Sequence, residues 1–216
     1  MDARYLICLI NKECKKSVSP SFNLKRCNNY NHLLHHYVIG GTSFAVNRFD
    51  IPQESVKVLE WFNDFWLFLE IKFLEKKKKR KDEKKISAFI SLSVFQGQST
   101  DDEKYQLFRA EWDNHTEWDK SNNSEKKHAQ PHWHITSGQA IENTFREYAT
   151  NFDNSDFILL LENEKKKVFD VKKIHFAMNG DWANGNDHIH KMNNEQQIVK
   201  WLQGMLFHLR DELGTR

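Results

Sequence analysis

Apolar and polar positions along the chain fall into blocks of different period. Residues 5–10, YLICLI, are a short apolar run, read as a buried strand or the start of a helix, and residues 11–30 are polar and irregular. HLLHHYVI (32–39) reads as a short helix stopped by Gly40-Gly41, since glycine takes the left-handed stop position at little cost. Pro52 opens a second expected helix over 53–65, because Val56, Leu59, Phe62 or Asn63, and Trp66 recur at helical spacing.

From Trp66 the period drops to two. In WLFLEIKFLE (66–75), Leu67, Leu69, Ile71 and Phe73 alternate with Glu70 and Lys72. In KISAFISLSVF (85–95), Ile86, Ala88, Ile90, Leu92 and Val94 oppose Ser91 and Ser93. YQLFRAEWD (105–113) sets Phe108, Ala110 and Trp112 against Arg109, Glu111 and Asp113. PHWHIT (131–136) sets Trp133 and Ile135 against His132, His134 and Thr136. Four such segments predict an antiparallel sheet with one apolar and one polar face.

After Gly138 helical spacing returns at Ile141, Phe145, Tyr148 and Phe152. FILLLE (157–162) reads as a buried strand or helix end, VKKIHFAM (171–178) as a strand, and 179–188, with two Asn-Gly pairs, as a loop. The C-terminal stretch runs Ile198, Leu202, Met205/Leu206, Leu209 and Leu213 to Gly214, a long amphipathic helix. The predicted fold class is therefore α+β: a mainly antiparallel sheet of four or more strands between about 66 and 136, with helices over 53–65, 139–150 and 194–213 packed on one face. The 216 residues suit a single domain, with 1–50 a helical or irregular N-terminal extension and 51–216 the α+β core. No internal repeat is visible.

Composition narrows the class. Sixteen Phe and seven Trp are too many large apolar side chains for a disordered chain. The three cysteines, Cys8, Cys14 and Cys27, are too few and too unevenly spaced for a disulfide framework, which points to a reducing, cytoplasmic setting. No apolar run approaches the ~20 residues of a membrane span. Net charge is +2, but residues 76–85, KKKKRKDEKK, carry +6, leaving −4 on the rest. That run reads as the tip of the first hairpin. Its Lys77, Lys78, Lys79 and Arg80 are candidates for non-specific contact with nucleic-acid phosphates, and Trp118 and Trp182, in polar loops, are candidates for contact with a protein partner.

The chemistry-bearing candidates centre on one strand. Period two sends His132 and His134 to the same face while Trp133 and Ile135 anchor the strand. Neutral imidazole is the commonest transition-metal ligand, so this pair is the candidate metal site, for Zn or Mg. Glu111 and Asp113, on the polar face of the preceding segment, are the candidate catalytic carboxylates. The ordinary alternative is a solvated polar sheet face.

Weaker patterns are a Glu70-x-Lys72 half of a metal-nuclease motif, and Asp187-His188-Ile189-His190 with His208 as a ββα-metal-type centre. A Cys8, Cys14, Cys27 and His32 (or His35, His36) zinc site is a third, with gaps longer than such sites use. No Walker loop, Gly-x-Gly-x-x-Gly or Gly-x-Ser-x-Gly occurs. Two functions are consistent with these residues: an accessory subunit that binds a protein or nucleic-acid partner, and a metal-dependent hydrolase directed at phosphodiesters.

Overall fold

The computed structural model describes residues 2–28, 30–48, 53–77, 84–101, 104–113, 131–135, 192 and 194–214. In chain order the described elements are helix α1 (Ala3–Ser17), strands β1 (Leu24–Cys27), β2 (Leu34–Ile39), β3 (Ser43–Asn47), β4 (Glu54–Phe62), β5 (Phe65–Lys77), β6 (Lys84–Gln96), β7 (Tyr105–Asp113) and β8 (His132–Ile135), and helix α2 (Glu195–Gly214). All eight strands join one antiparallel sheet in the order β1-β2-β5-β6-β7-β8, with β4 pairing the start of β5 and β3 pairing β4. The α+β expectation holds.

Register explains the two faces. Leu69 pairs with Leu92, Leu92 with Ala110, and Ala110 with Trp133, so one apolar row crosses four strands. Phe65, Leu67, Leu69, Ile71 and Phe73 of β5 are all fully buried on this face. The next row on the opposite face runs Glu70–Ser91–Glu111–His132, and the one beside it Phe68–Ser93–Arg109–His134.

The helices add their apolar stripes to the same core. In α1, Asp2 caps the first turn by accepting from the backbone N–H of Arg4 (2.9 Å) and Tyr5 (3.2 Å), and Leu6, Ile7, Ile10 and Cys14 are buried. In α2, Asn194 accepts from Gln197 N–H at 2.9 Å, and Ile198, Leu202, Leu206, Leu209 and Leu213 are buried. The two helices touch, and Asn11 of α1 ties down β1 through Leu24 N–H at 2.7 Å.

Two expected helices are strands. Residues 54–62 form β4; Leu59, Phe62 and Trp66 are helix-spaced because a bulge at Glu60/Phe62 and a two-residue turn interrupt the count, while Val56 and Leu59 are simply three residues apart in one strand. That turn, Asn63-Asp64, puts Asn63 at φ 49°, a left-handed conformation asparagine tolerates. β-branched Val56 and Val58 and aromatic Trp61 suit a pleated surface. Residues 34–39 form β2, and the glycines beyond it do not stop a helix. A Cβ on Gly41 would lie 2.5 Å from the backbone nitrogen of Val58, so glycine is needed there to let β4 pass. Within residues 1–50 the structure places α1 and strands β1 to β3. The helix expected over 139–150 lies outside the described residues.

Candidate metal centre

Strand β8 is short and, among the described residues, stands last in the strand order beside β7. Four register pairs join it to β7, from Phe108↔Ile135 to Glu111↔His132. Trp133 turns inward and packs edge-on against Phe108, with ring centroids 5.7 Å apart. With the indole so anchored, alternation aims His132 and His134 at the opposite face, where β7 presents Glu111 and Arg109 directly across from them.

Three donor atoms meet there. Nε2 of His132 lies 3.2 Å from Oε2 of Glu111, Nε2 of His134 lies 3.0 Å from the same oxygen, and the two nitrogens are 2.9 Å apart. The other carboxylate oxygen, Oε1, lies 3.0 Å from Nε of Arg109. The Arg109 and Glu111 side chains are each 9 % exposed, against 24 % for His132 and 37 % for His134, so the carboxylate is buried and the imidazoles reach outward. Among the described residues this is the one group of three or more His, Cys, Asp or Glu side chains close enough to share an ion.

Protons bridge at most two of the three contacts. Each Nε2 carries at most one hydrogen, and an ionised carboxylate carries none. Two hydrogens fill at most two of the three contacts, leaving either two N–H groups or two lone pairs opposed. A cation above the triangle attracts all three atoms at once.

The protonation states suit ligation. Burial pushes the Glu111 carboxyl up, but the hydrogen bond from His132 and the charges of Arg109, His134 and His132 outweigh it and hold the group below its ordinary value. Burial holds His134 below its ordinary value, with Arg109 and His132 adding to the effect and Glu111 opposing it. A carboxylate and a neutral imidazole are the forms a metal requires.

Asp113, the other candidate carboxylate, shares this face but stands one step further along β7, opposite Phe89 and outside the trio. The backbone of Lys77 continues β5 to its pairing with Lys84, while Lys78, Lys79, Arg80, Trp118 and Trp182 lie outside the described residues, as do His188 and His190. The cysteines do not converge. Cys8 is exposed, Cys14 is buried in α1 with its thiol pushed up to about 12 by burial and Glu13, and Cys27 lies on β1.

A second polar cluster forms where β2 lies beside β5, a pairing that a helix over 32–39 would not allow. Glu70 Oε1 lies 2.7 Å from His36 Nε2 and 2.8 Å from Lys72 Nζ. Burial raises the Glu70 carboxyl, yet His36 and Lys72 more than offset it and the net shift is downward. Glu70 and Lys72 thus spend their charges on each other and on His36, which is not the open arrangement a Glu-x-Lys nuclease site needs. Among the described residues, no helix is long and apolar enough to cross a membrane. The chain matches no protein-family model, no curated protein and no solved structure.

Proposed function

We propose that the chain is a metal-dependent hydrolase in which Glu111, His132 and His134 hold a divalent ion. The observation that carries this reading is the meeting of three donor atoms within 3.2 Å of one another. Two nitrogen donors and one oxygen favour Zn or another transition ion over Mg, which prefers oxygen ligands. A three-residue ligand set leaves positions for water and substrate. Glu111, His132 and His134 would hold the ion, which when bound would supply an acidified water and a Lewis acid for the substrate oxygen. Glu111 is used as a ligand, so Asp113, on the same face, is the carboxylate left to take the proton. The substrate class we favour is a phosphodiester, in keeping with the basic run at 76–85. The second reading, an accessory subunit that binds a protein or nucleic-acid partner, draws on the polar sheet face together with Lys77–Arg80, Trp118 and Trp182.

Hydrolysis of bis(4-nitrophenyl) phosphate by the full chain, with Zn or Mn added, tests the reaction. Turnover that is abolished by a chelator and by His132→Ala/His134→Ala is expected. Metal loading without phosphodiester turnover, or oxygen-dependent turnover with Fe(II), contradicts the hydrolase reading.

A further inference from the structure

We propose that Arg109 is a positioning residue for the ion, one that restricts Glu111 to binding it through a single oxygen. The inference rests on the metal-binding reading above and deepens it. Register places Arg109 opposite His134 and Glu111 opposite His132, so two adjacent cross-strand pairs share one face. Within that square the two carboxylate oxygens face different partners: Oε1 lies 3.0 Å from the Arg109 Nε, and Oε2 lies 3.0 and 3.2 Å from the imidazole nitrogens. A carboxylate with both oxygens turned to an ion occupies two coordination positions. The Arg109 charge beside Oε1 draws that oxygen away from the ion, so Glu111 offers Oε2 alone and a position is left for water.

Arginine suits this role. Its guanidinium cannot lose a proton and cannot itself ligate a metal, so it orients the ligand without competing for the ion. Arg109 is 8 % exposed, too buried for a charge kept only for solubility. Partners of this kind typically change metal affinity 10- to 100-fold.

The test compares the full-length wild type with Arg109→Met, which has no donor, and Arg109→Gln, which keeps a neutral amide donor without the charge. Zn(II) affinity is measured by competition with a chromophoric chelator, and the visible spectrum of the Co(II) form reports coordination. Arg109→Met is expected to weaken Zn(II) binding 10- to 100-fold and to alter the Co(II) bands, and Arg109→Gln to recover part of the affinity and the wild-type bands. Urea midpoints of the metal-free proteins separate this from a loss of fold. Should Arg109→Met not fold, the spectrum and affinity of Arg109→Gln beside Arg109→Lys, which keeps the charge without the planar fork, decide the question: wild-type values in both overturn the proposal. Unchanged or tighter binding by Arg109→Met with an unchanged spectrum also overturns it and leaves the ion site standing. A wild type that binds no Zn(II) or Co(II) removes the ion site itself.

Discussion

Replacing Glu111 with glutamine keeps the side chain's shape and removes its charge. The Arg109–Glu111 pair is 3.0 Å long with both side chains 9 % exposed, so it belongs with buried ion pairs, not with exposed ones worth about 0–1 kcal/mol. Removing one partner of a buried pair costs about 3 kcal/mol at the low end of the usual range. The glutamine carbonyl oxygen still stands beside the guanidinium, and this charge–dipole contact returns about 1 kcal/mol. Glu111→Gln should therefore destabilise the metal-free protein by about 2 kcal/mol. With a slope of about 2 kcal/mol per molar, the urea midpoint should fall by roughly 1 M. The assay is equilibrium urea unfolding at pH 7.5 with chelator present. The double variant Arg109→Met/Glu111→Leu should be more stable than Glu111→Leu alone, because it buries no unmatched charge. A midpoint for Glu111→Gln within 0.2 M of wild type would refute the reasoning, since the guanidinium would then be solvated and the pair of little consequence.

Acid should act on the metal-free protein through His134 first. Burial holds its imidazole below the usual 6.5, so its contribution to stability is complete above pH 6.5 and is lost as pH falls through the lower native value. Urea midpoints between pH 7.5 and 5 should decline more steeply for wild type than for His134→Gln; equal slopes would contradict the assignment. The depressed carboxyls of Glu111 and Glu70 add a later loss, below their ordinary value of 4.5. Trp133→Ala should cost about 2 kcal/mol, less than a fully buried tryptophan because Trp133 is half-buried, and should weaken metal binding in parallel, because both imidazoles ride on the strand it anchors. Thermal melts with and without Zn(II) check this, and an unchanged apo melting temperature would argue that β8 is held elsewhere.

The period-two rule located β5 to β8, their inward faces and the His132/His134 side of β8, because strand alternation depends only on neighbouring residues. It failed at β4, where a bulge and the Asn63-Asp64 turn imitate helical spacing, and at β2, where Gly40-Gly41 resemble a helix stop although Gly41 is dictated by the nearby backbone of Val58. Both errors have one source: a strand in the middle of a sheet is specified by distant partners. The site was legible as far as residue types and faces. That Glu111, and not Asp113, meets the two imidazoles follows from the pairing register of β7 with β8, which a single sequence does not encode locally. The His36–Glu70–Lys72 cluster was hidden for the same reason, since it depends on β2 lying beside β5.

Titration of the full chain with Zn(II) in a calorimeter, beside His132→Ala/His134→Ala, addresses the central claim most directly. One ion per chain bound by wild type at micromolar or tighter affinity, and lost in the double variant while its fold is retained, is the expected result. Equal binding by both proteins, or none by either, would contradict an ion held by these three side chains.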